Sequence, residues 1–575
     1  MANKKSLPSF SKSLFSGFVL EELVFPYPIP DKAESENLEL ILETFRKFAA
    51  DNIDSSKFDE LEEIPTEVVD GFKELGFFGL VIPEEYGGFG LTSTSFVRIL
   101  EEAGKVDGSI ALLLGAHQSI GLKGLLLFGT EDQKKKYLPK LATGELIGAY
   151  CLTEPGAGSD AGGIKMRAVR DEKRGIYTLN GTKMWITNGG IADFFTVFAK
   201  EEIEMPDGEK KDKITAFMVT RDMGVTSGKH EKKLGIRAVS TTEVIFDNVD
   251  VPLENVIGER GKGFKVAMAV LNSGRVGLAG GSVGGSKTVL KQTIAHVNER
   301  HQFNRPLADF ELIKEKIAQI AIDIYVGESM TYLTTSLIDR GDVDYSLESA
   351  MSKVFTTDNL WLHANEALQN AGGIGYSQEY TYEQWVRDAR INPIFEGTNE
   401  ILRFFVALSG MQERGEYLKN IGVALKDPIK GFGVLSDYAV HYVKDRLKTE
   451  RIRNVHASIA ESKALFENWA KNLHITVERI LMKHGKKIIQ RQIIQKRIAD
   501  SVIDLYAMIA TISRTDLRIK AKGVKKTKKE ILYCNTFCNQ AWRRVRRNLL
   551  MVDKNSDRNI LEISEFIKEE EQYLI

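Results

Sequence analysis

Glu396 is the first candidate for chemistry, because it lies between two apolar residues and a glycine in the segment IFEGTNE at 394–400. A carboxylate among apolar neighbours is a candidate for a raised pKa, since desolvation disfavours its charged form. A base that removes a proton from a weak carbon acid benefits from that tuning. Most glutamates beside hydrophobic residues point into solvent, so the local pattern alone leaves both interpretations open.

A glycine-rich segment, GAGSDA at 156–161, fits the dinucleotide-binding pattern G-x-G-x-x-G/A, but its surroundings do not. That fingerprint follows a strand and opens a helix, whereas here the residues from Lys165 onward alternate like a strand. We therefore reject a dinucleotide-binding fold. The glycines still let backbone N–H groups approach an anion or a flavin, with Thr153 and Ser159 as added hydroxyl donors. An ordinary glycine-rich turn explains the spacing equally well.

Cations mark a second candidate region, because Arg275 lies within an otherwise apolar helical segment and RHQFNRP at 300–306 ends that helix. Basic residues near the negative end of a helix are stabilising caps. A guanidinium group also binds phosphate or carboxylate in a forked geometry. Both interpretations stay open on sequence alone.

The elements that position these residues fall into four stretches. Apolar residues recur at helical spacing from about 36 to 147, and strand-like patterns follow from about 150 to 256. Helical patterns return from about 263 to 412, and a basic helical region follows a link that contains glycine and proline, 426–433. Strands and helices do not alternate, which argues against a doubly wound sheet.

The strand region contains one local signal for a turn. Residues 176–179 and 183–186 read as strands, and Asn180-Gly181 between them has the chemistry of a type I′ turn. The sequence therefore predicts a β-hairpin, with Trp185 buried in its second strand and a turn after it.

Composition limits the class of protein. At 575 residues the chain is too long for one core, and a formal net charge of -1 gives no reason to expect nucleic-acid binding. Three cysteines cannot form a disulfide framework, which fits a reducing compartment. No uninterrupted apolar run reaches the eighteen or so residues that a membrane span needs. The Ser-rich, mildly basic residues 1–17 lack the apolar core of a secretory signal, although a short transit peptide shares that bias.

Three segments taken together resemble the signature segments of the acyl-CoA dehydrogenase family, in that family's order and spacing: YCLTEPGAGSD at 150–160, KMWITNG at 183–189 and IFEGT at 394–398. The appended C-terminal region, with GAHQSIG at 115–121 and ILRFFVAL at 401–408, resembles the very-long-chain subgroup. The resemblance implies a mainly α fold with a middle β-domain, in which flavin lies between that domain and a four-helix bundle. The expected domains are an N-terminal extension (1–35), a helical domain (36–149), a β-domain (150–258), a four-helix bundle (259–415) and an appended helical domain (430–575).

The resemblance also implies FAD as cofactor and Glu396 as the base that removes the substrate α-proton. Residues expected around the flavin are Tyr150, Leu152, Thr153, Gly158, Ser159, Trp185, Thr187, Thr398 and Glu400. Residues expected to contact the FAD of a neighbouring subunit, and so to imply a homodimer, are Arg300, Gln302, Phe303, Gln369, Gly372 and Gly373. Residues expected at the acyl-CoA are Ser159, Phe264, Leu271, Asn272, Arg275 and Gly397.

Substrate length has its own signal, because Gly121 and Gly124 are i, i+3 neighbours on one predicted helix. Glycine weakens a helix, so two on one face indicate a need for space, either for close packing or for a ligand. Matching glycines in the very-long-chain subgroup leave the fatty-acyl tunnel open at its base. The resemblance therefore implies long-chain acyl-CoA.

Partners and location follow from the same resemblance. An electron-transferring flavoprotein is the expected electron acceptor, and the basic amphipathic stretch from Val477 to Arg491 either packs on its own bundle or rests on a membrane surface. The expected location is the cytoplasm for a bacterial protein and the mitochondrial matrix for a eukaryotic one. The rival functions are an acyl-CoA oxidase, which passes electrons to oxygen, and a scaffold for respiratory-complex assembly.

Overall fold

The computed structural model describes residues 7–424 and 451–573, and the chain divides into two compact units. The larger unit comprises Pro28–Gly341 and Ser352–Asn399, and it contains Glu396. The smaller unit comprises the described parts of Met1–Tyr27, Asp342–Met351 and Glu400–Ile575. The predicted class, mainly α with a middle β-domain, is confirmed.

Helices come before and after one stretch of strands. The helices before it are Phe10–Phe15, Lys32–Asn52, Ser55–Leu61, Thr66–Glu74, Ser93–Val106, Gly108–Gly115, Lys123–Phe128 and Glu131–Thr143, with a π-helix at Ala116–Gly121. The helices after it are Gly263–Glu299, Glu311–Arg340, Ser346–Ala371, Gly373–Tyr376, Tyr382–Ala389, Asn399–Ala424, Ala460–His484, Gln492–Lys526, Lys528–Leu550 and Asp557–Glu570.

The strands form a seven-stranded sheet. They are Gly148–Cys151, Arg167–Asp171, Ile176–Thr187, Phe194–Glu204, Lys210–Thr220, Thr226–Ser227 and Thr241–Pro252. Most neighbouring pairs are antiparallel, but Phe194–Glu204 has two parallel neighbours: Gly148–Cys151, with Tyr150 opposite Thr196, and Arg167–Asp171, with Arg167 opposite Lys200. A separate two-stranded ribbon pairs His301–Gln302 with Arg305–Pro306.

The predicted hairpin at Asn180-Gly181 is wrong, because Ile176–Thr187 is one continuous strand. It pairs with Arg167–Asp171 on one side and with Thr241–Pro252 on the other. Hydrogen bonds to these two strands keep the chain extended at Asn180-Gly181, where the turn was predicted. The pairing shifts register between Leu179 and Gly181, and Gly181 has a φ of +149°. The two turn-forming residues therefore make a β-bulge inside a strand.

The N-terminal segment is built into the smaller unit. Phe10 and Phe15 are fully buried, and the ring of Phe10 lies 6.4 Å from that of Tyr506. The imidazole Nδ1 of His474 lies 2.9 Å from the carbonyl oxygen of Phe15. The short helix Phe10–Phe15 is thus part of a hydrophobic core rather than a free extension.

Apolar residues of the predicted C-terminal stripe are mostly internal. Val477, Ile480 and Ile488 are buried in the smaller unit, whereas Ile489 is exposed. Among the described residues, one helical stretch, Gly108–Phe128, is long and apolar enough by length and composition to cross a membrane, and 61% of its most apolar window is buried. That stretch carries His117, Gln118 and Lys123, so it is not an uninterrupted apolar run.

Candidate active site

Glu396 adopts a backbone conformation that residues other than glycine rarely take. Its φ is +58°, and Gly397 after it has a φ of +88°. Such strained residues persist only where the surroundings hold them, and they concentrate at functional sites. The carboxylate oxygen Oε2 is buried and has no hydrogen-bond partner among the described residues. The backbone N–H of Glu396 likewise has no acceptor in the part of the chain that the structure describes.

Two buried cations hold the turn at Glu396 and Gly397. The guanidinium Nε of Arg275, on the helix Gly263–Glu299, donates to the carbonyl oxygen of Glu396 at 3.2 Å. The ammonium of Lys353 donates to the carbonyl oxygen of Gly397 at 3.0 Å and to Asn399 Oδ1 at 2.7 Å. Because each cation binds a carbonyl oxygen of the turn, the carboxylate of Glu396 stays free for another partner.

Burial dominates the electrostatics of Glu396. Desolvation raises the pKa of its carboxyl group to about 7, although the positive charges of Arg275 and Lys353 act in the opposite direction. Burial also lowers the pKa of the Arg275 guanidinium, which the charge of Glu396 opposes. A carboxyl group that titrates near neutral pH is suited to accept and release a proton.

A cavity of about 860 Å³, part of it open to solvent, extends from Glu396 through the larger unit. Its wall includes one stripe of the helix Gly263–Glu299, formed by Gly274, Gly277, Leu278, Gly281, Ser282 and Gly285. Leu100, Gly104 and Gly108 also line the cavity, and Leu100 and Gly104 pack closely against Gly277 and Gly281 of that stripe. A Cβ added at Gly274 would lie 2.7 Å from Glu396 Oε2, so glycine is what lets the carboxylate approach the helix. The cavity is mainly apolar, and it follows one helix from Gly274 to Gly285, as the binding of a hydrocarbon chain requires.

Gly121 and Gly124 do not line this cavity, which corrects the expectation that they hold its base open. A Cβ added at Gly121 would lie 2.7 Å from the carbonyl carbon of Gly148, in the first strand. A Cβ added at Gly124 would lie 3.4 Å from Cγ2 of Thr196. Both glycines therefore serve close packing of the helical segment on the sheet, and the glycines that do line the cavity lie on other helices.

The π-helix Ala116–Gly121 places residues at the cavity wall beside Glu396. His117 is fully buried, and burial lowers its pKa to about 4, so its ring is neutral. Its Nδ1 accepts from the Gly148 N–H at 2.8 Å, so Nε2 carries the hydrogen and donates to the carbonyls of Phe78 and Leu141. This ring fixes the start of the first strand relative to the wall residues Ser119 and Ile120.

Two signature segments expected at the flavin meet on the sheet. The Met184 N–H donates to the Thr153 carbonyl at 2.9 Å, and the hydroxyl of Tyr150 donates to the Ala267 carbonyl at 3.2 Å. Trp185 has a φ of +60° and is 55% exposed, which corrects the expectation that it is buried. A left-handed residue at the sheet surface turns its indole outward instead of into the core.

Lys183 braces these two segments from inside. It is fully buried and donates to the carbonyl of Leu152 at 3.2 Å, the carbonyl of Phe198 at 2.7 Å and Glu154 Oε1 at 2.8 Å. Glu154 also accepts from the backbone N–H groups of Lys165 and Met166. Burial lowers the pKa of Lys183, and the charge of Glu154 opposes that shift.

Replacing Lys183 with methionine is expected to weaken retention of FAD and to lower the melting temperature. The variant leaves the carboxylate of Glu154 buried without its cation, which costs about 3–5 kcal/mol. The measurement is the ratio of flavin to protein after gel filtration, together with thermal unfolding. As a control, adding Glu154→Gln to Lys183→Met removes the unpaired charge and should restore part of both values. Wild-type flavin content and stability in Lys183→Met would contradict the bracing role.

The other residues predicted at the flavin and at the acyl-CoA differ in how far they are exposed to solvent. Thr187 lines the cavity, and Thr398 is half-buried. Phe264 is exposed, and Leu271 and Asn272 are half-buried on the helix that carries Arg275, whose Nη1 donates to Asn272 Oδ1 at 2.9 Å. The exposed residues among the rest are Gly158, Ser159, Arg300, Gln302, Phe303, Gln369, Gly372, Gly373 and Glu400.

Sequence reasoning missed Lys353 and the glycine stripe. Lys353 is a single cation in the helix Ser346–Ala371, and its segment SAMSKVFTT at 349–357 is otherwise uncharged, which was an available signal. The stripe was also visible as glycines at 274, 277, 281 and 285, at helical spacing. The direction in which that stripe faces depends on packing, so the sequence could not place it beside Glu396.

Known proteins match the chain along most of its length. Family models for the N-terminal, middle and C-terminal domains of acyl-CoA dehydrogenases match residues 35–145, 149–249 and 261–410. A model described as the ACAD9/ACADV C-terminal domain matches residues 457–573. The mitochondrial very long-chain specific acyl-CoA dehydrogenase of Bos taurus is 44% identical over 550 residues, covering 94% of this chain and 84% of that protein.

Solved structures give similar matches. An acyl-CoA dehydrogenase complexed with FAD, from Bacillus anthracis, has a TM-score of 0.80 at 34% identity and covers 97% of this chain and 94% of that chain. A chain from the structure of the electron transferring flavoprotein of Acidaminococcus fermentans has a TM-score of 0.61 at 34% identity, covering 66% of this chain and 98% of that chain.

Proposed function

The chain belongs to the acyl-CoA dehydrogenase family and is an FAD-dependent enzyme of fatty-acid β-oxidation, and we propose that its substrates are long-chain acyl-CoA thioesters. One observation supports this proposal above the others. A mainly apolar cavity, lined along one helix from Gly274 to Gly285, includes in its wall Glu396, whose buried oxygen Oε2 has no partner among the described residues. The relative from Bos taurus is very-long-chain specific, which supports the same substrate class.

The residues present fit FAD between the glycine-rich segment and the strand Ile176–Thr187. Gly156 and Gly158 have open space where a Cβ would stand, so their backbone N–H groups are accessible to an anion. The exposed indole of Trp185 offers an aromatic face to a planar ring system. We propose that Tyr150, Leu152, Thr153, Gly158, Ser159, Trp185, Thr187, Thr398 and Glu400 hold the flavin.

The residues of the site support a division of roles. Bound FAD supplies the acceptor for the hydride that leaves the β-carbon. Glu396 removes the α-proton through Oε2, and its free backbone N–H donates to the thioester oxygen as negative charge develops there. Arg275 and Lys353 hold the carbonyl oxygens of the turn, so both groups keep their positions during the reaction. The product is a trans-2-enoyl-CoA.

Activity is expected to rise with pH through about 7, because Glu396 must be ionised to accept the α-proton and its pKa is raised to about 7. The pH profile of kcat/KM reports the free enzyme and is the measurement to make. Lys353→Met removes a cation that stabilises the ionised form, so the midpoint should move to higher pH in the FAD-loaded variant. A midpoint below pH 5 in the wild type would contradict a desolvated base.

Anaerobic mixing of the holoenzyme with acyl-CoAs of graded length tests the function. Hexadecanoyl-CoA is expected to bleach the flavin absorbance rapidly, and butanoyl-CoA slowly, because the longer chain buries more apolar area in the cavity. Bleaching by butanoyl-CoA alone would reject the long-chain assignment. Peroxide formation in air at the rate of turnover would instead indicate an acyl-CoA oxidase.

We also propose an electron-transferring flavoprotein as the electron acceptor. The match to a chain in the structure of such a flavoprotein supports this partner. The test is whether purified electron-transferring flavoprotein becomes reduced when the enzyme and hexadecanoyl-CoA are present together. Absence of reduction at micromolar concentrations of both proteins would exclude it.

We propose a homodimer in which each subunit contacts the flavin of its neighbour. The ring of Phe303 is 87% exposed, and the side chain of Asn370, beside Gln369, is buried with neither polar atom paired among the described residues. The residues proposed to contact the neighbouring FAD are Arg300, Gln302, Phe303, Gln369, Gly372 and Gly373. Sedimentation of the holoenzyme as a monomer at micromolar concentration would refute this arrangement.

Peripheral membrane contact through the C-terminal region is a further proposal, supported by the basic residues beside the exposed Ile489. Flotation with anionic vesicles, compared with a chain that ends before Lys426, tests it, and equal flotation of both would reject it. We propose a location in the cytoplasm if the protein is bacterial and in the mitochondrial matrix if it is eukaryotic. The bacterial and mitochondrial relatives support these two locations.

A further inference from the structure

Two serine hydroxyls line the cavity beyond Glu396 without a hydrogen-bond partner among the described residues. They are Oγ of Ser119, which is 6% exposed, and Oγ of Ser282, which is 2% exposed. A buried serine or threonine in a helix commonly donates to the carbonyl four residues earlier, as Thr293 on the same helix does to Val289. Ser282 departs from that habit, so its buried hydroxyl has no partner among the described residues, although the residue itself belongs to the cavity wall.

Two acidic groups at the cavity have partners or roles already. The carboxylate of Asp388 accepts from the Ile236 N–H at 2.5 Å, and the unpaired oxygen of Glu396 is the proposed proton acceptor. An unsubstituted hydrocarbon chain offers neither a donor nor an acceptor to the two serines. Leaving a buried hydroxyl unpaired costs free energy. An unsubstituted chain therefore leaves both serine hydroxyls without a hydrogen bond.

Positions along the helix Gly263–Glu299 give the distance of each serine hydroxyl from Glu396. Gly274 touches Glu396, and Ser282 lies eight residues further on, which is about 12 Å at about 1.5 Å per residue. If the acyl chain is extended and follows the axis of this helix, it advances by about 1.2 Å per bond, and Ser282 then lies near carbon 12 of a chain whose α-carbon is at Glu396. Ser119 Oγ lies 3.2 Å from the Cβ position of Gly277, three residues beyond Gly274, which corresponds to about carbon 6.

We propose that the cavity accepts long acyl chains that carry a hydroxyl group near carbon 6 or carbon 12, with Ser119 and Ser282 as the specificity-determining residues. A hydroxyl group both donates and accepts, so each pair of hydroxyls can satisfy one another in an apolar surrounding. This inference rests on the proposed function, because it takes the cavity to be the site of the acyl chain. The reaction at the α- and β-carbons is unchanged.

The test compares hexadecanoyl-CoA with its 6-, 9- and 12-hydroxy derivatives in anaerobic flavin bleaching by the holoenzyme. The kcat/KM of the 12-hydroxy and 6-hydroxy substrates is expected to exceed that of the 9-hydroxy substrate by about tenfold, because only the 9-hydroxyl is buried without a partner. Ser282→Ala should lower the ratio of 12-hydroxy to unsubstituted kcat/KM by about tenfold and leave the ratio for the 6-hydroxy substrate in place. Ser119→Ala should lower the ratio of 6-hydroxy to unsubstituted kcat/KM by about tenfold and leave the ratio for the 12-hydroxy substrate in place.

Ser286→Ala is the matched control, since Ser286 lies one turn beyond Ser282, is paired with His363 at 3.0 Å and does not line the cavity. Its substrate ratios should equal those of the wild type. Bleaching by hexadecanoyl-CoA with equal penalties for all three hydroxyl positions would overturn the inference and leave the proposed function intact. No bleaching by any of the substrates would reject the proposed function itself. If a serine variant does not fold, the position series in the wild type decides alone.

Discussion

Replacing Glu396 with glutamine is expected to lower kcat/KM for hexadecanoyl-CoA by at least about 10³-fold while FAD remains bound, because the loss of a general base removes up to about four orders of magnitude. Glutamine keeps the size of the side chain and bears the same left-handed backbone. The bonds from Arg275 and Lys353 go to carbonyl oxygens of the turn, so they survive the change. What disappears is the ability of the side chain to take a proton.

The measurement is single-turnover bleaching of the flavin under anaerobic conditions, with flavin content and melting temperature recorded on the same sample. Glu379→Gln makes a matched control, because it exchanges an exposed carboxylate elsewhere in the larger unit and should react at the wild-type rate. Turnover of the Glu396 variant within tenfold of the wild type would remove this residue from the role of base.

The choice of Glu396 shows what sequence could and could not supply. Three signature segments in register singled it out and implied its role. Its left-handed φ, the buried oxygen Oε2 and the two cations on the turn depend on packing between distant helices. Arg275 was a candidate because a cation in an apolar helix is conspicuous, yet nothing local indicated that it binds a backbone carbonyl oxygen rather than a phosphate.

The order of helices, strands and helices followed from periodicity, but individual turns did not. Asn180-Gly181 has the chemistry of a hairpin turn, and a strand on each side overrode that preference. The sequence predicts that Trp185 is a core residue, but in the structure it has a positive φ and its indole is exposed. Local preferences are small compared with the pairing energy of a whole strand, so such positions are decided by tertiary structure.

The glycines illustrate the same limit for substrate length. Gly121 and Gly124 suggested space for a ligand, and the structure assigns that space to the sheet. Gly274, Gly277, Gly281 and Gly285 line the cavity, and this helix face without side chains contributes to the space along the axis. Both sets of glycines have helical spacing along the sequence. What distinguishes them is whether their helix face contacts the sheet or the cavity.

Replacing Gly281 with leucine is therefore expected to shift the substrate preference from long to medium chains. A Cβ at Gly281 meets only the Leu100 carbonyl oxygen, at 3.8 Å, so a side chain enters the cavity without backbone conflict. Gly281 lies seven residues beyond Gly274, about 10.5 Å along the helix, or near carbon 11 of the acyl chain. Hexadecanoyl-CoA should lose about 10²- to 10³-fold in kcat/KM, since each excluded methylene forgoes about 0.8 kcal/mol of burial.

Octanoyl-CoA ends before the new side chain, so its kcat/KM in Gly281→Leu should stay within about threefold of the wild type, given how little burial it loses. The matched control is Gly124→Ala, whose added Cβ lies 3.4 Å from Thr196 Cγ2 and outside the cavity. It should leave the ratio of octanoyl to hexadecanoyl activity unchanged, whatever its effect on stability. A changed ratio in Gly124→Ala together with an unchanged ratio in Gly281→Leu would return the chain-length role to the helix that carries Gly121 and Gly124. The opposite pattern assigns it to the glycine stripe beside Glu396.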